Sequence, residues 1–419
     1  MIGFVCELIR SFHCLDHVRI GILVGRLIGR LIRRVGQLLA WFDNARRNDR
    51  DRLDSVCANV ASTTYHWELS TEDAFEGMEW QQVEDATKAL AMVTVGSFVG
   101  EPATGHPINV HYRLYEAYNE KHGCVVVVNG FTEAVAMYQE VVYDFVRNGF
   151  SVYAYDHRGQ GFSSRLIDGD AHVDKGHIDT FDHLVSDLAR FVALVRNRRA
   201  SRPATMHVLA NSMGGTVASL YLSRVQSPSA SVAMLAPMHQ IKLTPLVSLL
   251  LSSRILRLFL PFACCVRIYG RDFSSAEAAF LSTTALSDDD MSHSMRRLRR
   301  RWAARRAKWT DALGELHDAR ISGVTLRWLV DAHDAARRSR CPASCARQVR
   351  TLVLQAENDS VVDANGQYAY CKHLNAATAG SCRMQRVVNA RHLILHEADA
   401  YRNPALGSIM SFFASNETP

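Results

Sequence analysis

From about residue 90 onward, apolar and polar positions alternate between two periods. Segments 91–100 and 108–117 predict strands. Segment 124–129, CVVVVN, is a short continuous apolar run, as expected of a strand covered on both faces. A helix is predicted over 135–148, with Met137, Tyr138, Val141, Val142 and Phe145 on one side, followed by a strand over 151–156. Phe181, Leu184, Leu188, Phe191, Val192 and Val195 fall at helical spacing within 178–198. A strand (205–210), a helix (213–225) and a strand (231–236) continue the series. Strands alternating with helices predict an α/β protein with a mostly parallel sheet and helices on both faces.

The alternation stops at Pro237 and resumes with a strand over 349–356. A helix (364–373), a strand (383–388) and a last helix (404–414) follow. The intervening residues are rich in helix formers and predict a helical cap inserted over the sheet's edge. The organisation expected is therefore a basic amphipathic helix and linker (1–58), a first core part (59–236), the cap or lid (237–346) and a second core part (347–419).

The leading segment stands apart. Ile20, Leu23, Val24, Leu27, Ile28, Leu31, Ile32, Val35, Leu38, Leu39 and Phe42 share one helical face, with Arg19, Arg26, Arg30, Arg33 and Arg34 mostly opposite. Such a helix fits a membrane interface with anionic headgroups. A mitochondrial presequence and a helix docked on the body share this chemistry. A secretory signal does not, because arginines interrupt the apolar run. The longest uncharged apolar stretches, 243–253 and 258–266, are far short of the roughly 20 residues that span a bilayer, which excludes a polytopic membrane protein.

Charge sharpens this division. The chain of 419 residues carries a formal +6, but 1–40 alone hold +4 and 295–309 hold +8, leaving the remainder acidic. A generally nucleic-acid-binding body is therefore not expected. At 48% hydrophobic and 21% charged, the composition is that of a globular chain. Ten cysteines show no zinc-type pairing; most are read as buried free thiols of a reducing compartment.

The candidate chemistry begins where a strand meets a helix, at Ala210-Asn211-Ser212-Met213-Gly214-Gly215. A serine in a tight turn flanked by small residues fits a nucleophile elbow; an ordinary Ser N-cap is the simpler alternative. Ser212 would project at the sheet's C-terminal edge, and the Met213 N–H, at a helix N-terminus, would face a developing oxyanion. A serine nucleophile needs a base, and the base an orienting carboxylate. Asp359, just past the 349–356 strand, is the candidate acid, with Asp363 and Glu357 as alternatives; Asp363 better fits a helix cap. His392, four residues past a strand, is the candidate base, with His396 as alternative. The loop after 124–129 reads Asn129-Gly130-Phe131-Thr132-Glu133, and the Phe131 N–H is the second candidate oxyanion donor. The segment DHRGQGFSSR (156–165) predicts a turn that buttresses that loop.

These motifs, with KGHIDTFDHLVSDLARFV (175–192), LAPM (235–238), SGVTLRWLVDA (322–332) and ARHLILHEADAYRNP (390–404), give the chain a clear resemblance. It resembles serine hydrolases of the α/β-hydrolase fold, and within them PldB-type lysophospholipases and monoacylglycerol lipases. The resemblance covers about three quarters of the chain. It implies Ser212, Asp359 and His392 as the triad, Phe131 and Met213 as oxyanion donors, and no metal or organic cofactor. Two departures stand out: Ala210 replaces the first Gly of the elbow, and Asn211 replaces the His that usually precedes the nucleophile.

The implied function is hydrolysis of the fatty acyl ester of a lysophospholipid or monoacylglycerol through an acyl-enzyme. A peptidase or small-ester hydrolase on the same fold is an alternative, as is a membrane-surface interaction protein with a vestigial site. An intracellular protein held peripherally on an anionic membrane is expected, with a mitochondrial address as an alternative. In the insertion, the apolar 243–266 segment is expected to line an acyl tunnel, touch a membrane or pack on the core. The cationic 295–309 helix is expected to face anionic lipid or solvent.

Overall fold

The computed structural model describes residues 57–60, 66–102, 107–167, 174–201, 205–225, 231–253, 256, 260, 265–269, 291–310, 316–342 and 349–415. The amphipathic helix and nearly all of the linker expected over 1–58 lie outside them.

After β1 (Ala58–Asn59), helix α1 (Trp80–Lys88) leads into β2 (Ala91–Val99), β3 (Asn109–Ala117) and β4 (Cys124–Val128). A 3-10 turn at Val135–Tyr138 runs into α2 (Gln139–Arg147), followed by β5 (Ser151–Tyr155), β6 (Lys175–Gly176) and α3 (Phe181–Arg198). Then come β7 (Met206–Asn211), α4 (Met213–Leu222) and β8 (Ser231–Leu235). The insertion holds α5 (Pro245–Ser252), β9 (Arg267–Tyr269), α6 (Met295–Arg305), β10 (Lys308–Thr310), β11 (Leu316–Asp318), β12 (Ser322–Thr325) and α7 (Leu326–Ser339). The chain closes with β13 (Arg350–Ala356), α8 (Ala364–Ala377), β14 (Cys382–Val387) and α9 (Asp399–Ala414).

Among the described residues, nine strands form the central sheet in the order β1-β14-β13-β8-β7-β4-β5-β3-β2. Pairing is parallel except at β2–β3 and β3–β5. Every residue of β4, β5 and β8 is buried, which is why these strands read as unbroken apolar runs. Register sets Val128 beside Ala210, Asn211 beside Leu235, and Leu235 beside Leu354. The C-terminal ends of β4, β7, β8 and β13 thus share one rim, where ligands bind in open α/β sheets. The α/β architecture expected from the alternation is present.

Three expectations need correction. The insertion is not wholly helical: β10 pairs with β11, and β12 joins β9 to β6, a strand contributed by the core. Gly323 takes φ +65°, and Val324 and Thr325 suit an extended chain, so this stretch does not continue a helix. The last helix starts at Asp399, with Pro404 inside it. Buried Arg402 fixes the first turn, donating to the Leu395 carbonyl at 3.1 Å and the Asp144 carboxylate at 2.6 Å. Finally, the expectation of mostly free thiols meets an exception: Cys371 and Cys382 form a disulfide joining α8 to β14. Cys124 is a buried thiol, pushed up to about 12 by burial. Among the described residues no helix is long and apolar enough to cross a membrane.

Candidate active site

β7 ends at Asn211 and α4 begins at Met213, so Ser212 alone makes the turn, at φ +50° and ψ −115°. A positive φ is costly for a residue with a Cβ and persists only where surroundings over-determine it. Here the Ser212 N–H donates to the Leu235 carbonyl at 2.9 Å, and the Ser212 carbonyl accepts from the Gly215 and Met238 N–H groups at 2.9 Å each. Gly215 is held small by the next loop: a Cβ there would lie 2.4 Å from Pro237 Cβ.

Loops after β13 and β14 bring two more groups to this turn. His392 Nε2 lies 2.9 Å from Ser212 Oγ, and His392 Nδ1 lies 2.7 Å from Asp359 Oδ2. All three residues are buried. The other carboxylate oxygen of Asp359 accepts from the Val361 and Val362 N–H groups at 2.8 and 2.9 Å. Burial alone would raise the Asp359 carboxyl, but His392 and the two N–H donors outweigh it and hold it below the usual carboxylate range. Lys242, at the start of the insertion, donates to the Asp359 carbonyl at 2.9 Å.

The alternatives lie elsewhere. Asp363 caps α8, accepting from the Asn365 N–H at 3.0 Å. Glu357 accepts from the Asn389 N–H at 2.8 Å. His396 is buried one turn on, with Nε2 3.0 Å from the Met137 carbonyl.

The loop after β4 carries Phe131. Neither the Phe131 N–H nor the Met213 N–H has a hydrogen-bond partner among the described residues. Gln160 clamps this loop from both sides: its Oε1 accepts from the Thr132 N–H at 2.9 Å, and its Nε2 donates to the Gly130 carbonyl at 3.1 Å. Thr132 sits at φ +60°, a second strained residue fixed by its neighbours. From the same turn, Asp156 accepts from the Val135 and Phe162 N–H groups at 2.6 and 2.9 Å. Burial nevertheless pushes Asp156 up to about 6. Arg158 anchors the turn to Asp187 of α3. The 156–165 segment therefore buttresses the Phe131 loop, as its sequence suggested.

Sequence reading gave Glu133 no role, yet it is buried at the centre of the site's support. It accepts from the Gly130 N–H, the Tyr138 hydroxyl and Asn211 Nδ2. A lone acid in a strand-to-helix loop has no periodicity to flag it; its only signal was an acid set among apolar neighbours.

Above the site, the Phe131 ring packs on Trp328 of α7 with centroids 4.2 Å apart. A Cβ at Gly176 would come within 2.2 Å of that ring, so β6 needs a glycine there. Leu251 of α5 packs with Leu260 and Val330, whereas Leu246, Leu249 and Leu250 of the same helix are exposed. The cations of α6 face neither lipid nor water alone: Arg297, Arg301 and Arg305 are buried against the core. Among the described residues no cluster of three or more His, Cys, Asp or Glu could hold a metal ion.

Comparison with known proteins bears on the family and the fold. The family described as "Serine aminopeptidase, S33" matches residues 119–399. Lysophospholipase L2 of Escherichia coli is 29% identical over 352 residues, covering 81% of this chain and 96% of the relative. A probable lysophospholipase L2 of Haemophilus influenzae is 28% identical over 293 residues, covering 69% and 82%. A soluble variant of monoglyceride lipase from Saccharomyces cerevisiae, solved with a substrate analogue, superposes with a TM-score of 0.56 at 16% identity, covering 78% of this chain and 98% of that one. The fold is that of the α/β hydrolases.

Proposed function

The chain belongs to the serine aminopeptidase S33 family of α/β hydrolases, and from that premise we propose that it is a carboxylic ester hydrolase acting on lipid esters through Ser212, His392 and Asp359. The observation that carries this reading is the relay itself, Oγ to Nε2 at 2.9 Å and Nδ1 to carboxylate at 2.7 Å. In it, His392 takes the Ser212 proton as Oγ attacks the ester carbonyl. Asp359, kept ionised, fixes the imidazole tautomer and stabilises the imidazolium. The Phe131 and Met213 N–H groups receive the oxyanion. The alcohol leaves with the proton from His392, and water, activated by the same imidazole, releases the fatty acid from Ser212.

The substrate class we assign is a lysophospholipid or monoacylglycerol. Two relatives bear lysophospholipase names at 28–29% identity, and α5, packed on α7 through Leu251 and Val330, exposes further leucines as an apolar surface. We also assign 1–42 to peripheral association with an anionic membrane; deleting them should release the protein from anionic liposomes and leave turnover of soluble esters intact.

A fluorophosphonate probe tests the nucleophile: wild type should label and Ser212→Ala should not, and equal labelling would overturn the assignment. Turnover of lysophosphatidylglycerol and monooleoylglycerol against amino-acid naphthylamides separates esterase from aminopeptidase. Faster turnover of the amides would favour the activity in the family's description.

A further inference from the structure

Three arginines of α6, Arg297, Arg301 and Arg305, recur at four-residue spacing on one face and are buried. Arg297 binds Glu140 and Asp399 at 2.7 Å each and the Glu397 carbonyl at 2.5 Å. Arg305 donates to the Ile321 carbonyl. Arg301, between them, reaches Glu133 Oε1 at 3.4 Å, with both side chains nearly solvent-free.

Glu133 touches both halves of the reacting centre. Its Oε2 accepts from the Gly130 N–H and the Tyr138 hydroxyl at 2.5 Å each. Gly130 immediately precedes Phe131. Both carboxylate oxygens lie 3.1 Å from Asn211 Nδ2, and Asn211 immediately precedes Ser212. The Gly130 N–H, Asn211 Nδ2 and Arg301 can only donate, and the Tyr138 hydroxyl, which can also accept, donates here, so this set of contacts holds together while Glu133 is a carboxylate. A carboxylate this deeply buried needs a counter-charge. Burial pushes Glu133 up, but Arg301, His396 and the donated hydrogen bonds together bring it below its ordinary range.

We propose that Arg301 is a positioning residue: by keeping Glu133 ionised from the cap side, it holds the oxyanion loop and the nucleophile elbow in register. The inference rests on the esterase reading above. Without the guanidinium, Glu133 loses its counter-charge and protonates more readily, and a protonated oxygen turns from acceptor to donor, meeting the donor-only Gly130 and Asn211 groups or reversing the Tyr138 hydrogen bond. The contacts that hold Gly130 and Asn211 then weaken, and the Phe131 N–H shifts relative to Ser212. Transition-state stabilisation suffers, whereas ground-state binding of the substrate does not depend on these hydrogen bonds. The cap is in this way part of the catalytic register and not only a cover.

The test compares full-length Arg301→Met, Arg301→Lys, Arg300→Met and Tyr138→Phe on a soluble p-nitrophenyl ester, each scaled to the folded fraction by circular dichroism. Arg300 lies next to Arg301 but binds Glu140 at 2.9 Å, so it controls for loss of cap charge. We expect Arg301→Met to lower kcat by about 10-fold or more with KM within about twofold, because displaced oxyanion donors act on the transition state. Arg301→Lys should recover much of the loss, and Arg300→Met should stay within about twofold of wild type. If Arg301→Met does not fold, Tyr138→Phe decides, with about a threefold or larger fall in kcat expected from removing one donor to Glu133. Wild-type kcat in whichever variant decides, or equal losses in Arg301→Met and Arg300→Met, would overturn the proposal. Should Ser212→Ala retain labelling, the esterase reading falls first; should Ser212→Ala be silent while Arg301→Met turns over normally, only the positioning role falls.

Discussion

Gly214 lies directly under the carbonyl of Val128: a Cβ placed on it would stand 2.1 Å from that oxygen and 2.7 Å from the carbonyl of Asn129. Both atoms are backbone at the end of β4, so nothing flexible can yield. The close approach of α4 to the sheet therefore makes glycine obligatory here. Ala210, two residues before the nucleophile, is equally buried and already carries a Cβ between Val128 and Met234. The small residues of one motif are thus small for different reasons, and the departure at 210 is sterically accommodated.

It follows that Gly214→Ala should displace the elbow. Fluorophosphonate labelling should fall by more than about 100-fold, or the protein should fail to accumulate, since a misplacement near 1 Å costs on that order in rate. Ala210→Gly should lose only about 0.5–1 kcal/mol of stability in urea titrations and keep its labelling rate within a few fold. Full labelling of Gly214→Ala would contradict the packing described.

Asp359→Asn tests the electrostatic half of the relay with little change of shape. The amide cannot both accept from the His392 Nδ1–H and satisfy the Val361 and Val362 N–H groups as the carboxylate does. We expect kcat on a p-nitrophenyl ester to fall by about 10⁴-fold with the fold intact, as wrong tautomers dominate. A loss below tenfold would move the acid's role to another residue.

Arg158 and Asp187 are both solvent-free, joined at 2.6 and 2.7 Å, and Arg158 also donates to the Glu101 carbonyl at 2.7 Å. Arg158→Met leaves Asp187 buried without its partner, which costs about 3–5 kcal/mol. Adding Asp187→Leu should recover part of that loss in urea denaturation. An Arg158→Met variant as stable as wild type would mean the pair is not holding the turn beneath the Phe131 loop.

What the sequence made legible was whatever repeats or sits at a fixed offset. The strands covered on both faces are unbroken apolar runs, so CVVVV reads directly as β4. Ser212 and His392 declare themselves by standing just past strands. The sequence was misleading where tertiary partners decide. The 295–309 arginines look like a solvent or lipid face because their acids, Glu133, Glu140 and Asp399, lie far away in the chain. Pro404 looks like a helix start, but Arg402 anchors an earlier turn. Cys371 and Cys382 look like separate core thiols until α8 is laid against β14.

Glu140 gives those arginines a measurable consequence. Burial alone would raise its carboxyl, but Arg402, Arg297 and Arg300 overcome this and bring it down to about 2, from an ordinary 4.5. A folded-state value below the unfolded one means that the unfolded chain takes up the proton first as pH falls. The contribution is therefore full above about pH 4.5 and is lost as pH drops toward 2. A shift of this size corresponds to about 3 kcal/mol. Asp144, beside it, acts in the opposite sense, because burial holds its carboxyl above the ordinary value despite Arg402. The informative quantity is consequently the difference between wild type and Glu140→Gln. That difference should be about 3 kcal/mol at pH 7 in urea titrations and should shrink steadily from pH 4.5 downward. A difference that stays constant to pH 3 would show that Glu140 is not stabilised by its arginines, and that α6 is held to α2 by packing alone.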